Sequence, residues 1–96
     1  MQFIITAYDG ENMLERRMAV RPRHLEGMAK LAKHIVCASG LLDNEGKPKR
    51  SVLDFEDRAA FDDYLKNEPY VTEQVWDKIE VEILNVVIVD GVKVGG

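Results

Sequence analysis

The succession of apolar patterns along the chain predicts an α+β domain, with strands and helices in separate layers. Three observations carry this expectation. Gln2-Phe3-Ile4-Ile5-Thr6-Ala7-Tyr8 is apolar, β-branched and aromatic, and it stops at the turn signal Asp9-Gly10. From Pro22 onward the apolar residues recur with a helical period, Leu25, Met28, Ala29 and Ala32 on one side against Glu26, Lys30 and Lys33 on the other. Ile79-Glu80-Val81-Glu82-Ile83 alternates strictly, the signature of a half-buried strand.

A chain of 96 residues makes one domain, 1–96, with a core over about 1–87 and a tail over 88–96. At this size a second copy would help to bury the core. Charged residues at 31% and hydrophobic ones at 46% are ordinary globular values. A net charge of −4 and an isoelectric point near 5.1 argue against a nucleic-acid or anionic-membrane surface. One cysteine, Cys37, forms no internal disulfide, and no signal segment or long apolar span is visible, so the expectation is a cytoplasmic protein.

The elements follow in order. Gln2 to Tyr8 is a buried strand. Glu11 to Val20, Arg-rich with Met13, Leu14 and Met18 interspersed, reads as a long connection to an amphipathic helix that starts at Pro22. Ile35-Val36-Cys37-Ala38 fits either the end of that helix or a strand. Asp43-Asn44-Glu45-Gly46-Lys47-Pro48 is a turn cluster, and Ser51-Val52-Leu53-Asp54-Phe55 alternates as a strand. Glu56 and Asp57 open a second helix buried through Ala60, Phe61, Tyr64 and Leu65, and Glu68-Pro69 ends it. Tyr70 to Trp76 is a short helical turn, and Ile79 to Val89 is the last core strand. Asp90-Gly91 between Val-Ile-Val and Val-Lys-Val is a hairpin signal, so 88–96 is either an added strand or a frayed end.

His24 is the titratable residue to explain. With Pro22 at the first helical position, His24 falls in the first turn, where free N–H groups and the positive dipole end favour the neutral, basic imidazole. Arg16, Arg17, Arg21 and Arg23 crowd the same approach in an acidic chain, which suggests a small anionic ligand. His34 lies nearly opposite the apolar stripe and is the bland histidine of the pair. Two histidines on opposite sides of a helix and one distant cysteine make no metal ligand set, and nothing implies a cofactor.

Met1 to Asp9, the run Leu14-Glu15-Arg16-Arg17-Met18-Ala19-Val20-Arg21-Pro22-Arg23-His24-Leu25, and Glu68-Pro69-Tyr70 resemble the YciI-like (YCII-related) family of small bacterial proteins. The likeness runs from Met1 to about Val87 and is most specific at Val-Arg-Pro-x-His-Leu. It implies that Ile35–Ala38 is a strand. The order then becomes βαββαβ, a ferredoxin-like antiparallel sheet with two helices on one face. It also implies a dimeric α+β barrel like that of muconolactone isomerase, and a histidine–aspartate pair in a cleft, with His24 on the family histidine. The exposed sheet face independently suggests a homodimer packed sheet to sheet. Three positions depart from the family: Gly40-Leu41 stands for Gly-Pro, Arg50-Ser51 for Gly-Ser, and Glu68-Pro69-Tyr70 for Asp-Pro-Tyr. Lys33-His34 also replaces the usual glycine before the second strand.

This topology brings Asp9, His24, Asp43, Ser51, Glu68 and Tyr70 to one end of the sheet. The expected site has His24 as the proton carrier, oriented by Asp9 or Glu68, with Arg17, Arg21, Asp43, Ser51 and Tyr70 on the substrate. The expected function is an isomerase or lyase acting on a small anionic molecule. The alternative is a non-catalytic ligand-binding or sensing dimer, which the three departures favour. The final Gly95-Gly96 also suggests a sulfur carrier, although the order of elements is not β-grasp.

Overall fold

The computed structural model describes residues 2–95. Strands β1 (Gln2–Asp9), β2 (Ile35–Leu42), β3 (Pro48–Phe55) and β4 (Trp76–Leu84) form one antiparallel sheet in the order β2-β3-β1-β4. Helix α1 (Leu14–Lys30) connects β1 to β2 through a 3₁₀ turn, while α2 (Arg58–Asn67) and the single turn α3 (Pro69–Thr72) connect β3 to β4. This is the ferredoxin-like α+β arrangement, with Ile35–Ala38 in a strand. Both β2 and β3 extend further toward their shared turn than the alternating residues alone indicate.

Alternation places Ile5, Ala7, Leu53 and Phe55 under the helices, where Phe61, Tyr64, Tyr70, Val75 and Trp76 complete the core. Phe55 meets Phe61 edge-on, ring centroids 5.4 Å apart. The opposite face carries Ile4, Thr6, Tyr8 and Val52 beside polar residues, all only half-buried in the single chain.

Helix α1 corrects the expectation that the helix starts at Pro22. It begins at Leu14, so Glu11–Val20 is mostly helical and His24 sits well inside the helix, away from its N-terminal turn. The inward stripe is Arg17, Val20, His24 and the half-buried Met28, spaced three, four and four residues. Two of those four are polar, which hides the helical period from any apolar count. Pro22 is tolerated because it is exposed, so its missing N–H and its ring fall on the solvent side.

Strand β4 corrects a second boundary. It starts at Trp76, and the pairing skips Asp77: Tyr8 faces Lys78, whereas Asp9 faces Trp76. This bulge turns Trp76 into the core when strict alternation would aim it at the open face. At the other end β4 stops at Leu84. The expected continuation through Val89 is instead a separate hairpin, β5 (Ile88–Val89) with β6 (Val92–Lys93). Asp90 and Gly91 turn it at φ 49° and 76°, the left-handed pair a two-residue hairpin needs. Gly96 of the diglycine, and Met1, lie outside the described residues.

Candidate functional site

The site is built on α1, on the β1 and β3 strands beneath it, and on the α2–α3 junction. Glu68 sits between two helices because Pro69 forbids helical backbone at the preceding residue, and its φ and ψ of −71° and 117° are extended. From there its carboxylate folds back over α3. Oε1 accepts the Tyr70 amide at 2.9 Å and lies 2.6 Å from His24 Nδ1. Both side chains are buried, His24 at 8% and Glu68 at 0% exposure. A carboxylate at this distance is matched by a hydrogen on Nδ1, the tautomer that leaves the Nε2 lone pair free.

The His24 ring is held on two more sides. Tyr70 stacks on it with centroids 3.9 Å apart and planes 9° from parallel, and the bulge-turned Trp76 meets its edge at 5.9 Å. On the far face of Tyr70 stands the Arg17 guanidinium, 5.0 Å from the ring centroid. Arg17 donates to Asp9 Oδ1 at 2.7 Å and to Ser51 Oγ at 3.1 Å. Arg17, Tyr70, His24 and Glu68 therefore form one continuous column.

A cavity of about 320 Å³ opens between α1 and the β2–β3 edge of the sheet. Arg17, Arg21, His24, Ser39, Ser51 and Tyr70 supply its polar lining, and Leu25, Met28, Leu42, Pro48 and Leu53 most of its apolar walls. That volume is near the small end of ligand sites. Arg21 is exposed at the rim and, among the described residues, has no ion-pair partner. Tyr70 Oη is buried and, among the described residues, unpaired. Burial holds its pKa above the ordinary tyrosine value, against the pull of Arg17 and Arg21. It is a neutral donor in the wall of the cavity with no partner of its own among the described residues.

The expected site residues divide as follows. His24, Glu68, Tyr70, Arg17, Asp9 and Ser51 are brought together. Asp9 pairs with Arg17 and not with His24, so its place is in holding the guanidinium. Asp43 stands apart, a correction: it is exposed in the β2–β3 turn, where its carboxylate accepts the Glu45 and Lys47 amides at 2.8 and 3.0 Å, and it lines no part of the cavity. Those amides hold its pKa below the usual carboxylate value. Of the other arginines, Arg16 and Arg23 reach outward to Glu73. Arg50 lies over the Tyr8 ring at 5.2 Å, and neither it nor Leu41 lines the cavity. Trp76 and the wall residues Met28 and Leu42 belong to the site without having been singled out as such. The signal for Trp76, a bulge, has no sequence mark here.

His34, Glu56 and Asp57 bring three ligand atoms within 4.8 Å of one another, away from the cavity. His34 Nδ1 lies 2.9 Å from Glu56, and Asp57 already accepts the Ala60 amide as the cap of α2.

Comparison with known proteins gives a consistent picture. The family model described as YCII-related domain matches residues 1–85. Aspercryptin biosynthesis cluster protein B of Emericella nidulans is 29% identical over a match covering 79% of this chain and 56% of that protein, so the chain spans little more than half of that curated relative. Among solved structures, the 5-chloro-2-hydroxyhydroquinone dehydrochlorinase of Burkholderia phenoliruptrix AC1100, in complex with 2,5-dihydroxybenzoquinone, superposes with a TM-score of 0.78 at 20% identity, covering 88% of this chain and 94% of that one. An antibiotic biosynthesis monooxygenase, so described as putative, from Bacteroides thetaiotaomicron gives 0.61 at 14% identity, covering 92% and 90%. At these identities the structures share the fold.

Proposed function

The chain belongs to the YCII-related domain family, and from that premise we propose that it is a small enzyme of isomerase or lyase type in which His24 moves a proton on a small anionic substrate. The observation that carries this reading is the buried 2.6 Å contact between His24 Nδ1 and Glu68 at the wall of a cavity. Glu68 fixes the tautomer, and Nε2 takes or gives the proton. Arg21 at the rim and Arg17 behind it neutralise the substrate's charge, and Ser51 and Tyr70 Oη orient it. Asp9 offsets part of the Arg17 charge, so Arg21 is the principal anion anchor.

The apolar walls opposite the guanidinium groups favour a ring-containing anion over a highly hydrated one. The dehydrochlorinase of the same fold acts on a hydroxylated ring, which makes aromatic and quinonoid anions the first compounds to try. The binding-only alternative drew its support from the departures at Leu41, Arg50 and Glu68. With Leu41 and Arg50 off the cavity and Glu68 in contact with His24, that support is reduced to one added methylene.

The half-buried sheet face around Ile4, Thr6, Tyr8 and Val52 is the surface we assign to a homodimer. No helix among the described residues is long and apolar enough to cross a membrane, and the one cysteine, Cys37, is an exposed free thiol, which suits a reducing cytoplasm. The test is a thermal-shift screen of small aromatic and carboxylic anions, followed by product analysis of each compound that stabilises the protein. Conversion of a stabilising anion supports the enzyme; stabilisation by several anions with no product from any of them supports the binding alternative.

A further inference from the structure

We propose that Tyr64 is a positioning residue for the acid–base pair: its hydroxyl donates to the second oxygen of Glu68 and so sets how strongly that carboxylate holds His24. The inference rests on the reading of His24 and Glu68 as the working pair. Glu68 uses Oε1 twice, for His24 and for the Tyr70 amide, while Oε2 is buried and makes no hydrogen bond among the described residues. A buried carboxylate oxygen without a donor is costly, and native proteins rarely leave one.

Of the buried donors without a partner, Tyr64 is the one on which the Glu68 carboxylate acts through a side-chain hydrogen bond. Tyr64, in the last turns of α2, stands four residues before Glu68, and its buried hydroxyl is likewise unpaired among the described residues. Both residues line a second cavity of about 460 Å³ between α1 and α2, on the side of the pair remote from the substrate cavity. Both oxygens are closed to solvent, so neither can satisfy itself with bulk water, and the Glu68 carboxylate is close enough to act on the Tyr64 hydroxyl by charge and by hydrogen bond. Burial, and then the charge of Glu68, push the Tyr64 pKa far above the ordinary tyrosine value, so the group remains a donor at every working pH. Among the described residues Glu68 is hydrogen-bonded to His24 of α1 and to the Tyr70 amide of α3, and Trp76 Nε1 of β4, on the edge of the His24 ring, is a further buried donor without a partner. The charges on the cavity rim, Arg23, Glu26 and Lys30 of α1 and Asp63 of α2, are exposed and of both signs. They offer no competing fixed partner.

In a hydrogen-bonded pair of ionisable groups, protons are taken up in two steps that belong to the pair and not to either residue. A donor on Oε2 favours ionised Glu68 and spreads its charge away from His24. Removing it favours protonated Glu68 in the lower step and protonated His24 in the upper one, so both apparent pKa values rise. The experiment follows the His24 ring by NMR against pH in four proteins: unaltered, Tyr64→Phe, Glu68→Gln and the double variant. Tyr64→Phe should raise both steps by about one pH unit, and in the Glu68→Gln background it should change nothing. A ring-fluorinated tyrosine at position 64, a stronger donor of nearly the same size, should move both steps downward. This gives a reading with the opposite sign even if Tyr64→Phe proves too unstable to titrate. No shift in either Tyr64 variant, or an equal shift with and without Glu68, overturns the inference alone. A Glu68→Gln change that leaves His24 unmoved overturns the pair itself, and Tyr64's role with it.

Discussion

Tyr70 lies face to face with His24, its ring 3.9 Å away and nearly parallel, while its own backbone amide binds the same Glu68 oxygen that holds His24 Nδ1. One residue thus fixes both the plane of the imidazole and the position of its carboxylate. The Glu68-Pro69-Tyr70 sequence is the local cause. Proline stops α2 and starts α3, and it leaves Glu68 in extended backbone with its side chain free to cap Tyr70. The same carboxylate that ends a helix is therefore the one delivered to the cavity wall.

Arg17 should matter to the fold as well as to the ligand. Its side chain and that of Asp9 are 7% and 8% exposed, so removing the cation strands a buried carboxylate. Arg17→Met should lower unfolding free energy by about 3–5 kcal/mol, and Asp9→Asn combined with it should recover part of that. Urea unfolding of the single and double variants checks both; equal losses in the two would contradict the pairing.

Arg21, by contrast, should matter for ligand and not for fold. It is exposed, and among the described residues it makes no ion pair. Arg21→Ala should leave the melting temperature within a degree or so while weakening anion binding by roughly ten- to a hundredfold. Titration calorimetry with the best anion from the screen, repeated at two salt concentrations, reads this. Unchanged affinity would remove Arg21 from the site.

These two arginines also show how much of the site the sequence makes legible. The crowding of charge before His24 is visible, yet which arginines turn inward is decided by a helix that starts at Leu14. That start is concealed because Arg17 and His24 take the inward positions where apolar residues would announce the period. Alternation and the Asp-Gly and Asp43–Pro48 turns mark the first, third and last core strands, whereas Ile35–Ala38 reads equally as a helix end, and only the family resemblance makes it the second strand. The partner of His24 is not legible, since Asp9 and Glu68 reach the same region and only the backbone at Pro69 separates their tasks. Asp43 misleads for a simpler reason: its carboxylate is consumed by the amides of its own turn.

Alkaline pH should destabilise the fold through its buried tyrosines. Tyr64 and Tyr70 keep their protons in the folded state above the ordinary tyrosine value of 10.0, in both cases chiefly through burial. Their contribution is complete below that value. As pH rises past it the unfolded chain loses protons that the folded chain retains, and stability falls by about 1.4 kcal/mol per pH unit for each tyrosine still protonated. Urea midpoints measured from about pH 9 to about pH 11 should decline, and Tyr64→Phe should make the decline shallower. A flat profile would contradict the burial of both hydroxyls.

The most direct test of proton transfer by His24 compares turnover and binding in His24→Gln on an anion that the unaltered protein converts. Glutamine fills much of the same space and keeps a hydrogen bond to Glu68, but it carries no titratable proton. The account predicts that turnover falls by about 10²- to 10⁴-fold while affinity for the anion stays within a few-fold. Turnover that survives the substitution would contradict it.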